Sequence, residues 1–208
     1  MKIYLARHGE TLFNKLKLSQ GWCDSPLTEY GITQGKNLGK ILKDVKFAGA
    51  YTSTSERAID TLQFVMDENL NPIDIHETKL LKEVNFGILE AMPDPMRMSL
   101  LRTDQNNFSF MFELKQGYKE YNGESYEEIC SRVKQILDLV TSNYNDDDQV
   151  ILMSHGGYLR TLMALTIDSK NGETINVVPN AGCIVLDYCN GEYTLSKIIE
   201  NNVSRETL

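Results

Sequence analysis

The stretch "KIYLARHGETLFN" at residues 2–14 decides the fold of this chain, because an apolar run stops abruptly at a cation and an imidazole. The run predicts a buried strand over residues 2–7. A second apolar run, "VILMS" at 150–154, predicts another buried strand, which ends at His155 before two glycines. If both strands lie in one sheet covered by helices, a ligand is expected beyond their carboxyl ends.

Helical patterns alternate with strand-like runs along most of the chain. A strand is predicted over residues 47–53, and "CIVLDYC" and "EYTLSKII" around "NGE" predict a closing hairpin. Capping residues predict the starts of three helices: Thr28, Ser53 with Glu56, and Ser125 with Glu128. Strands separated by helices predict an α/β fold, a three-layer α/β/α sandwich with a mostly parallel central sheet.

Residues 88–122 interrupt this alternation, since they are rich in methionine and aromatic residues and have weak periodicity. Such an insertion is typical of a cap or lid over a site, and an ordinary helical insertion that helps to build the core is an equal alternative. The aromatic residues expected either to pack there or to contact a leaving group are Phe108, Phe110, Phe112, Tyr118 and Tyr121. We expect a single domain over residues 1–208, with 88–122 as its lid-like insertion.

Composition and charge exclude several function classes. The chain has 208 residues, a net charge of −8 and a pI near 5.0, whereas nucleic-acid surfaces are basic. No apolar run reaches the about 18 to 20 residues of a membrane span, and the N-terminal apolar stretch is too short for a signal peptide. We expect a cytoplasmic protein with no nucleic-acid or membrane partner. Its oligomeric state stays open, a homodimer included.

The four cysteines do not form a recognisable site. They are Cys23, Cys130, Cys183 and Cys189, with no CxxC motif and no ligand-like spacing. Reduced thiols in a reducing compartment are the expected state.

Four side chains at predicted strand ends indicate an anion site. Arg7 and His8 end the first strand, His155 ends the late strand, and Arg57 lies in the first turn of a helix. A cation is disfavoured at that end of a helix dipole unless an anionic ligand shares the position. Alone, each of these residues has an ordinary structural reading; together they predict a phosphate held by charge-assisted hydrogen bonds. The third histidine, His76, is predicted to be structural.

The motifs "RHGET" at 7–11, "RAIDT" at 57–61 and "SHGG" at 154–157 resemble those of the histidine phosphatase superfamily, in its phosphoglycerate mutase-like branch. Three further stretches agree with the family: "SQGWCDSPLTEYGITQG", "LLKEVNFGILE" and "GESYEEICSRV". The resemblance extends over residues 1–87 and 123–188. The motif RHG alone is unspecific, whereas the ordered set is specific.

The resemblance implies a role for each matching residue. His8 would be the nucleophile and form a phosphohistidine, and Glu83 would donate a proton to the leaving oxygen. The residues implied to hold the phosphoryl oxygens are Arg7, Arg57 and His155. The residues implied to line the pocket and bind substrate are Asn14, Gln20, Gly21 and Gly156. Because His8 itself carries the phosphoryl group, no cofactor and no metal is expected.

Several positions leave alternatives open. Glu83 must be protonated to act as an acid, which burial favours and neighbouring cations oppose, and a surface glutamate is the alternative reading. Trp22 and Cys23 would lie at the pocket mouth, where Cys23 either tunes access and oxidises or is an uninvolved loop thiol. Glu90 departs from the family pattern, because the tryptophan and glycine expected around it are absent. Its role therefore stays open.

The function predicted from this pattern is a phosphomonoester phosphatase that acts on a small phosphorylated metabolite through phospho-His8. A cofactor-dependent phosphoglycerate mutase is the first alternative, although the run "EVNFG" replaces the "ERHYG"-like run of those mutases. A phosphate-binding sensor without catalytic activity is the second alternative. Loss of a core site residue would be the signature of a sensor, and none is lost.

Overall fold

The computed structural model describes residues 1–101, 117–168 and 178–204. Its centre is a sheet of six strands in the order β3-β2-β4-β1-β5-β6. The strands are β1 (Lys2–Arg7), β2 (Gly49–Ser53), β3 (Ile75–Thr78), β4 (Gln149–Ser154), β5 (Cys183–Cys189) and β6 (Glu192–Ile199). The first four strands are parallel to one another, and β5 is antiparallel to both β1 and β6. The mostly parallel sheet is therefore confirmed.

Helices cover both faces of the sheet. They are α1 (Leu12–Leu16), α2 (Glu29–Ile41), α3 (Glu56–Asp67), α4 (Asp94–Leu101), α5 (Tyr126–Asn143) and α6 (Gly156–Met163). Leu5 of β1 packs in one apolar core with residues of α5 and α6, while Ala6 packs in a second core with residues of α2 and α3. Because neighbouring residues of a strand point to opposite faces, the sheet has a core on each side. This is the predicted three-layer α/β/α sandwich.

The strand register brings the predicted site residues to one edge of the sheet. Arg7, the last residue of β1, lies opposite Ser154, the last residue of β4. His8 and His155 therefore leave the sheet at the same level. Ser53 ends β2, the other neighbour of β4, and α3 begins three residues later.

Two of the three predicted helix starts are confirmed. The Thr28 hydroxyl accepts a hydrogen bond from the Gly31 N–H, and Ser125 forms a capping box with Glu128. The predicted box of Ser53 with Glu56 is wrong. Ser53 ends β2 and its hydroxyl accepts from the Ser55 N–H at 3.3 Å, so Ser55 becomes the N-cap without a side-chain cap bond.

The C-terminal hairpin is confirmed between β5 and β6. Asn190 and Gly191 form its turn with φ of 50° and 82°, the left-handed backbone that an Asn-Gly hairpin turn requires. Within 88–122 the structure describes residues 88–101 and 117–122, which include the end of a 3-10 turn at Gly87–Leu89, α4, and a 3-10 turn at Lys119–Tyr121. Phe108, Phe110 and Phe112 lie outside the described residues, so a lid role for the insertion stays a prediction. No helix in the described ranges is long and apolar enough to cross a membrane.

Candidate active site

One ring nitrogen of His8 is hydrogen-bonded to the backbone, and the other is not used in that bond. His8 is 3% exposed, and its Nδ1 lies 2.7 Å from the Gly9 carbonyl oxygen. A carbonyl only accepts hydrogen bonds, so Nδ1 carries the proton and donates it. The lone pair of the neutral ring is therefore on Nε2, the atom required for an attack on phosphorus.

The surroundings keep the His8 ring neutral. Burial lowers its pKa well below the usual 6.5, and the charges of Arg57 and Arg7 lower it further. The hydrogen bond to Gly9 acts in the opposite direction and does not reverse the shift. A neutral imidazole is the nucleophilic form of histidine, and the positive charges of Arg57 and Arg7 are complementary to an anionic ligand.

His155 lies beside His8 and is completely buried. The two ring centroids are 5.1 Å apart. Neither ring nitrogen of His155 has a hydrogen-bond partner among the described residues. The pKa of His155 lies well below 6.5. Burial is the largest cause, and Arg57, His8 and Arg7 lower the pKa further. Buried polar groups are normally hydrogen-bonded, so these two nitrogens are available to a ligand.

Arg57 is fixed by the loop that precedes α2. Its Nη1 donates to the Cys23 carbonyl at 3.0 Å and to Asp24 Oδ1 at 2.8 Å, and its Nη2 donates to the Gly21 carbonyl at 2.9 Å. The Nε–H is buried and has no described partner. These three hydrogen bonds hold the guanidinium in place, and its Nε–H remains available to a ligand.

Arg7 reaches the same region from the end of β1. Its Nη1 donates to the Val178 carbonyl at 2.9 Å, and its Nε is buried without a described partner. A Cβ added at Gly156 would lie 3.1 Å from the Arg7 Cζ, closer than a methyl group normally packs. Burial lowers the Arg7 pKa, the charge of Glu83 partly offsets this, and Arg57 lowers it again. Arg7 nevertheless remains a cation at neutral pH.

Glu83 is buried and binds the N-terminus of α6. Its Oε2 accepts from the Gly157 N–H at 2.9 Å, and its Oε1 accepts from the Tyr158 N–H at 2.8 Å and the Val84 N–H at 2.9 Å. At 6% exposure it is not the surface glutamate of the alternative reading. The carboxyl group therefore lies next to His155, the N-cap residue of α6.

The predicted pocket residues make contacts within the protein. Asn14 Oδ1 accepts from the Asn180 side-chain amide at 3.1 Å. Gln20 bonds to the hydroxyls of Thr11 and Ser25, and the Gly21 N–H donates to Glu90 Oε2 at 2.9 Å. Their expected contact with substrate stays a prediction.

Asn180 and Glu90 support the site in ways that sequence reasoning missed. The Asn180 amide donates to the carbonyls of His8 and Gly9, both at 3.2 Å, and to Asn14. Glu90 accepts from four backbone N–H groups, those of Gly21, Trp22, Cys23 and Phe86. The family motif included Glu90 without giving it a role, and no local pattern marks Asn180, whose partners are more than 160 residues away.

Cys23 and His76 have no evident part in the chemistry. All four cysteines are free thiols. Burial and the neighbouring Glu90 raise the pKa of Cys23 to about 12, so it is not an activated thiolate. The Cys23 carbonyl, rather than its sulfur, contacts Arg57. His76 lies on β3 with its ring 5.5 Å from that of Tyr51, which agrees with a structural residue.

The sequence and the fold are similar to those of known proteins. The model of the Histidine phosphatase superfamily (branch 1) matches residues 3–201. The adenosylcobalamin/alpha-ribazole phosphatase of Escherichia coli is 31% identical, over 80% of this chain and 79% of its own length. The 2,3-bisphosphoglycerate-dependent phosphoglycerate mutase of Porphyromonas gingivalis is 27% identical, over 90% of this chain and 86% of its own length.

A solved structure extends this comparison to the fold. The phosphoglycerate mutase of Bacillus anthracis superposes with a TM-score of 0.82 at 30% identity, covering 95% of this chain and 92% of its own. The chain belongs to the histidine phosphatase superfamily and is an enzyme of the phosphatase type that its motifs predict.

Proposed function

We propose that this enzyme removes the phosphoryl group from a small phosphorylated metabolite in the cytoplasm, with His8 as the nucleophile. One observation carries the proposal: buried nitrogen atoms without a described partner, on Arg7, Arg57 and His155, surround a neutral His8. A phosphoryl group offers three oxygens that accept hydrogen bonds from such donors. Preorganised donors that neutralise these oxygens are the main source of catalysis in phosphoryl transfer.

In the first step His8 Nε2 attacks phosphorus, and the bond between phosphorus and the leaving oxygen breaks as the N–P bond forms. Arg7, Arg57 and His155 hold the other three oxygens. The proton on the Glu83 carboxyl moves to the leaving oxygen, which departs as a neutral alcohol. Glu83 is then a carboxylate, stabilised by the N–H groups of Gly157 and Tyr158.

In the second step a water molecule attacks phosphorus and the N–P bond breaks. Glu83 accepts a proton from this water, so the acid of the first step acts as the base of the second. His8 and Glu83 return to their starting states, and inorganic phosphate is released. No cofactor takes part in either step.

The relatives include both phosphatases and mutases, and the sequence favours hydrolysis for this chain. A mutase must keep its phosphohistidine from water until the substrate has turned around. The run characteristic of the cofactor-dependent mutases is absent at Glu83, where "EVNFG" stands instead. We therefore assign hydrolysis as the main reaction, with phosphoglycerate interconversion as the alternative that the experiment must separate.

The test compares the wild type with His8→Ala on p-nitrophenyl phosphate and a panel of phosphorylated metabolites that includes 3-phosphoglycerate. Phosphate release that disappears in the variant, while circular dichroism remains unchanged, would support the proposal, and the best substrate would define the metabolite class. Interconversion of phosphoglycerates without phosphate release would contradict it and indicate a mutase. A folded wild type that binds phosphate and turns over no substrate would indicate a sensor.

A further inference from the structure

Arg132 and Glu124 form an ion pair that is separate from the site around His8. Among the ion pairs of the described residues outside that site, it is the one in which both side chains are mostly buried. Arg132 Nε lies 2.8 Å from Glu124 Oε1, and Nη2 lies 2.9 Å from Oε2. Their side chains are only 13% and 11% exposed. A pair of this kind costs desolvation energy and needs further hydrogen bonds to offset it. Where those further bonds go indicates what the pair does.

Among the described residues, the remaining hydrogen bonds of the Arg132 guanidinium are all to the segment that carries Glu83. Nη1 donates to the carbonyls of Leu80 at 3.0 Å and Lys82 at 2.8 Å, and Nη2 donates to the carbonyl of Glu83 at 3.3 Å. Leu80 belongs to the 3-10 turn Lys79–Leu81, and residues 82–85 form neither helix nor strand, so these carbonyls have no sheet partners. One guanidinium therefore binds three carbonyls across four residues.

Glu124 holds the same segment from its other end. Its Oε2 accepts from the Asn85 N–H at 2.8 Å, and its own N–H donates to the Asn85 carbonyl at 3.0 Å. The ion pair thus binds backbone groups on both sides of Glu83.

The pair also contacts the helix that binds the Glu83 carboxyl group. The Arg132 guanidinium lies over the Tyr158 ring, with 4.9 Å between its Cζ and the ring centroid. The Tyr158 N–H donates to Glu83 Oε1 at 2.8 Å. Arg132 is therefore in contact with both the backbone of Glu83 and the residue that fixes its side chain.

We propose that the Arg132–Glu124 pair is a positioning device for the general acid, and that it sets how well Glu83 protonates the leaving oxygen. The inference rests on the proposed function, in which Glu83 is that acid. A displaced acid affects substrates unequally. A poor leaving group needs the proton, whereas p-nitrophenolate departs readily without it.

The experiment measures kcat/KM for p-nitrophenyl phosphate, phenyl phosphate and glycerol 2-phosphate. This parameter covers the steps up to phosphorylation of His8, so the second step does not affect it. The variants are Arg132→Lys and Glu124→Gln, with Glu83→Gln as the reference for complete loss of the acid. A lysine keeps the charge but cannot bind two carboxylate oxygens and three carbonyls at once.

Two matched controls separate positioning from general destabilisation. Val140→Ala removes buried side-chain volume from the same helix, two turns away. Lys119→Gln removes an exposed ion pair of similar length, with Glu128, that has no hydrogen bond to residues 80–85. Both controls are expected to leave the ratio of the three rates at its wild-type value.

For Arg132→Lys and Glu124→Gln we expect a loss of about 10- to 100-fold on glycerol 2-phosphate, the size typical of a misplaced catalytic group. The loss on p-nitrophenyl phosphate is expected to be no more than about threefold, because that leaving group needs little acid assistance. An equal loss on all three substrates, with Glu83→Gln strongly selective, would overturn this inference alone. If Glu83→Gln also lost activity equally, the acid role itself would be wrong.

Discussion

The helices α3 and α6 begin in the same way, yet the two helix starts serve different purposes. Each follows a strand that ends at the site, and neither N-cap residue, Ser55 or His155, makes a side-chain cap bond. A carboxylate from elsewhere in the chain takes that place. Asp24 accepts from the Glu56 N–H at 2.6 Å, and Glu83 accepts from the Gly157 N–H at 2.9 Å.

The difference lies in what else each carboxylate contacts. Asp24 is paired with Arg57 at 2.8 Å, so its charge is used to hold a cation in place. Glu83 makes no ion pair with any described residue. The hydrogen bonds of the Glu83 carboxyl group are instead to the backbone N–H groups of Val84, Gly157 and Tyr158. One helix start therefore holds Arg57, for which we propose phosphate binding, and the other holds Glu83, which we propose as the proton donor.

Of the substitutions at these two carboxylates, Glu83→Gln is expected to lower turnover the most. Because glutamine cannot donate the required proton, turnover of alkyl phosphates should fall by about 10²- to 10⁴-fold, the usual contribution of a general acid. Release of p-nitrophenol from its phosphate should fall far less in the first turnover. Steady-state and stopped-flow assays on the two substrate types check this. An equal loss of activity on both substrate types would show that Glu83 is not the proton donor.

Asp24→Asn is expected to weaken phosphate binding by a smaller factor, which is the same for all substrates. The amide keeps the size of the side chain but loses the charge opposite Arg57, so the guanidinium is held less well. The affinity for inorganic phosphate should fall by about tenfold, of the order of one charge-assisted hydrogen bond. Aryl and alkyl substrates should be affected alike. A loss that depends on the leaving group would show that Asp24, too, takes part in proton transfer.

The two helix starts also show what sequence can predict. The strand ends, the α/β layers and the cluster of Arg7, His8, Arg57 and His155 follow from local runs and from the rule that parallel strands end at one edge. The Ser53–Glu56 capping box was predicted wrongly, because the carboxylate of Asp24, 32 residues earlier in the chain, takes the Glu56 N–H. Contacts such as those of Asn180 and Arg132 leave no local signal, since their partners are set by the tertiary fold.

A pH titration tests whether burial and the neighbouring cations keep both histidines neutral. The pKa values of His8 and His155 lie well below 6.5, so at that pH both rings should remain mainly neutral. The unfolded chain takes up protons first as the pH falls, so these groups contribute stability that is present above about 6.5 and lost below it. NMR of ¹³C-labelled histidine, assigned with His8→Asn, measures the ring states. A His8 midpoint at or above 6.5 would contradict this environment.

The smallest expected effect is that of metal removal. In the proposed mechanism arginines neutralise the phosphoryl oxygens and His8 carries the phosphoryl group, so neither Asp24 nor Glu83 is needed as a metal ligand. Among the described residues no group of three metal-binding side chains is present. Dialysis against EDTA should leave kcat and KM unchanged. Activity that is lost on dialysis and restored by a divalent cation would require a different role for one of these carboxylates.

Transfer of the phosphoryl group to His8 can be observed directly in the Glu83→Gln variant. With p-nitrophenyl phosphate this variant can form the N–P bond but lacks the base that activates water, so the intermediate should accumulate. The reaction is quenched in alkali and the peptide containing His8 is examined by tandem mass spectrometry. One added phosphoryl group is expected on His8, and none in the double variant with His8→Ala. Release of p-nitrophenol without modification of His8, or modification of another residue, would contradict it.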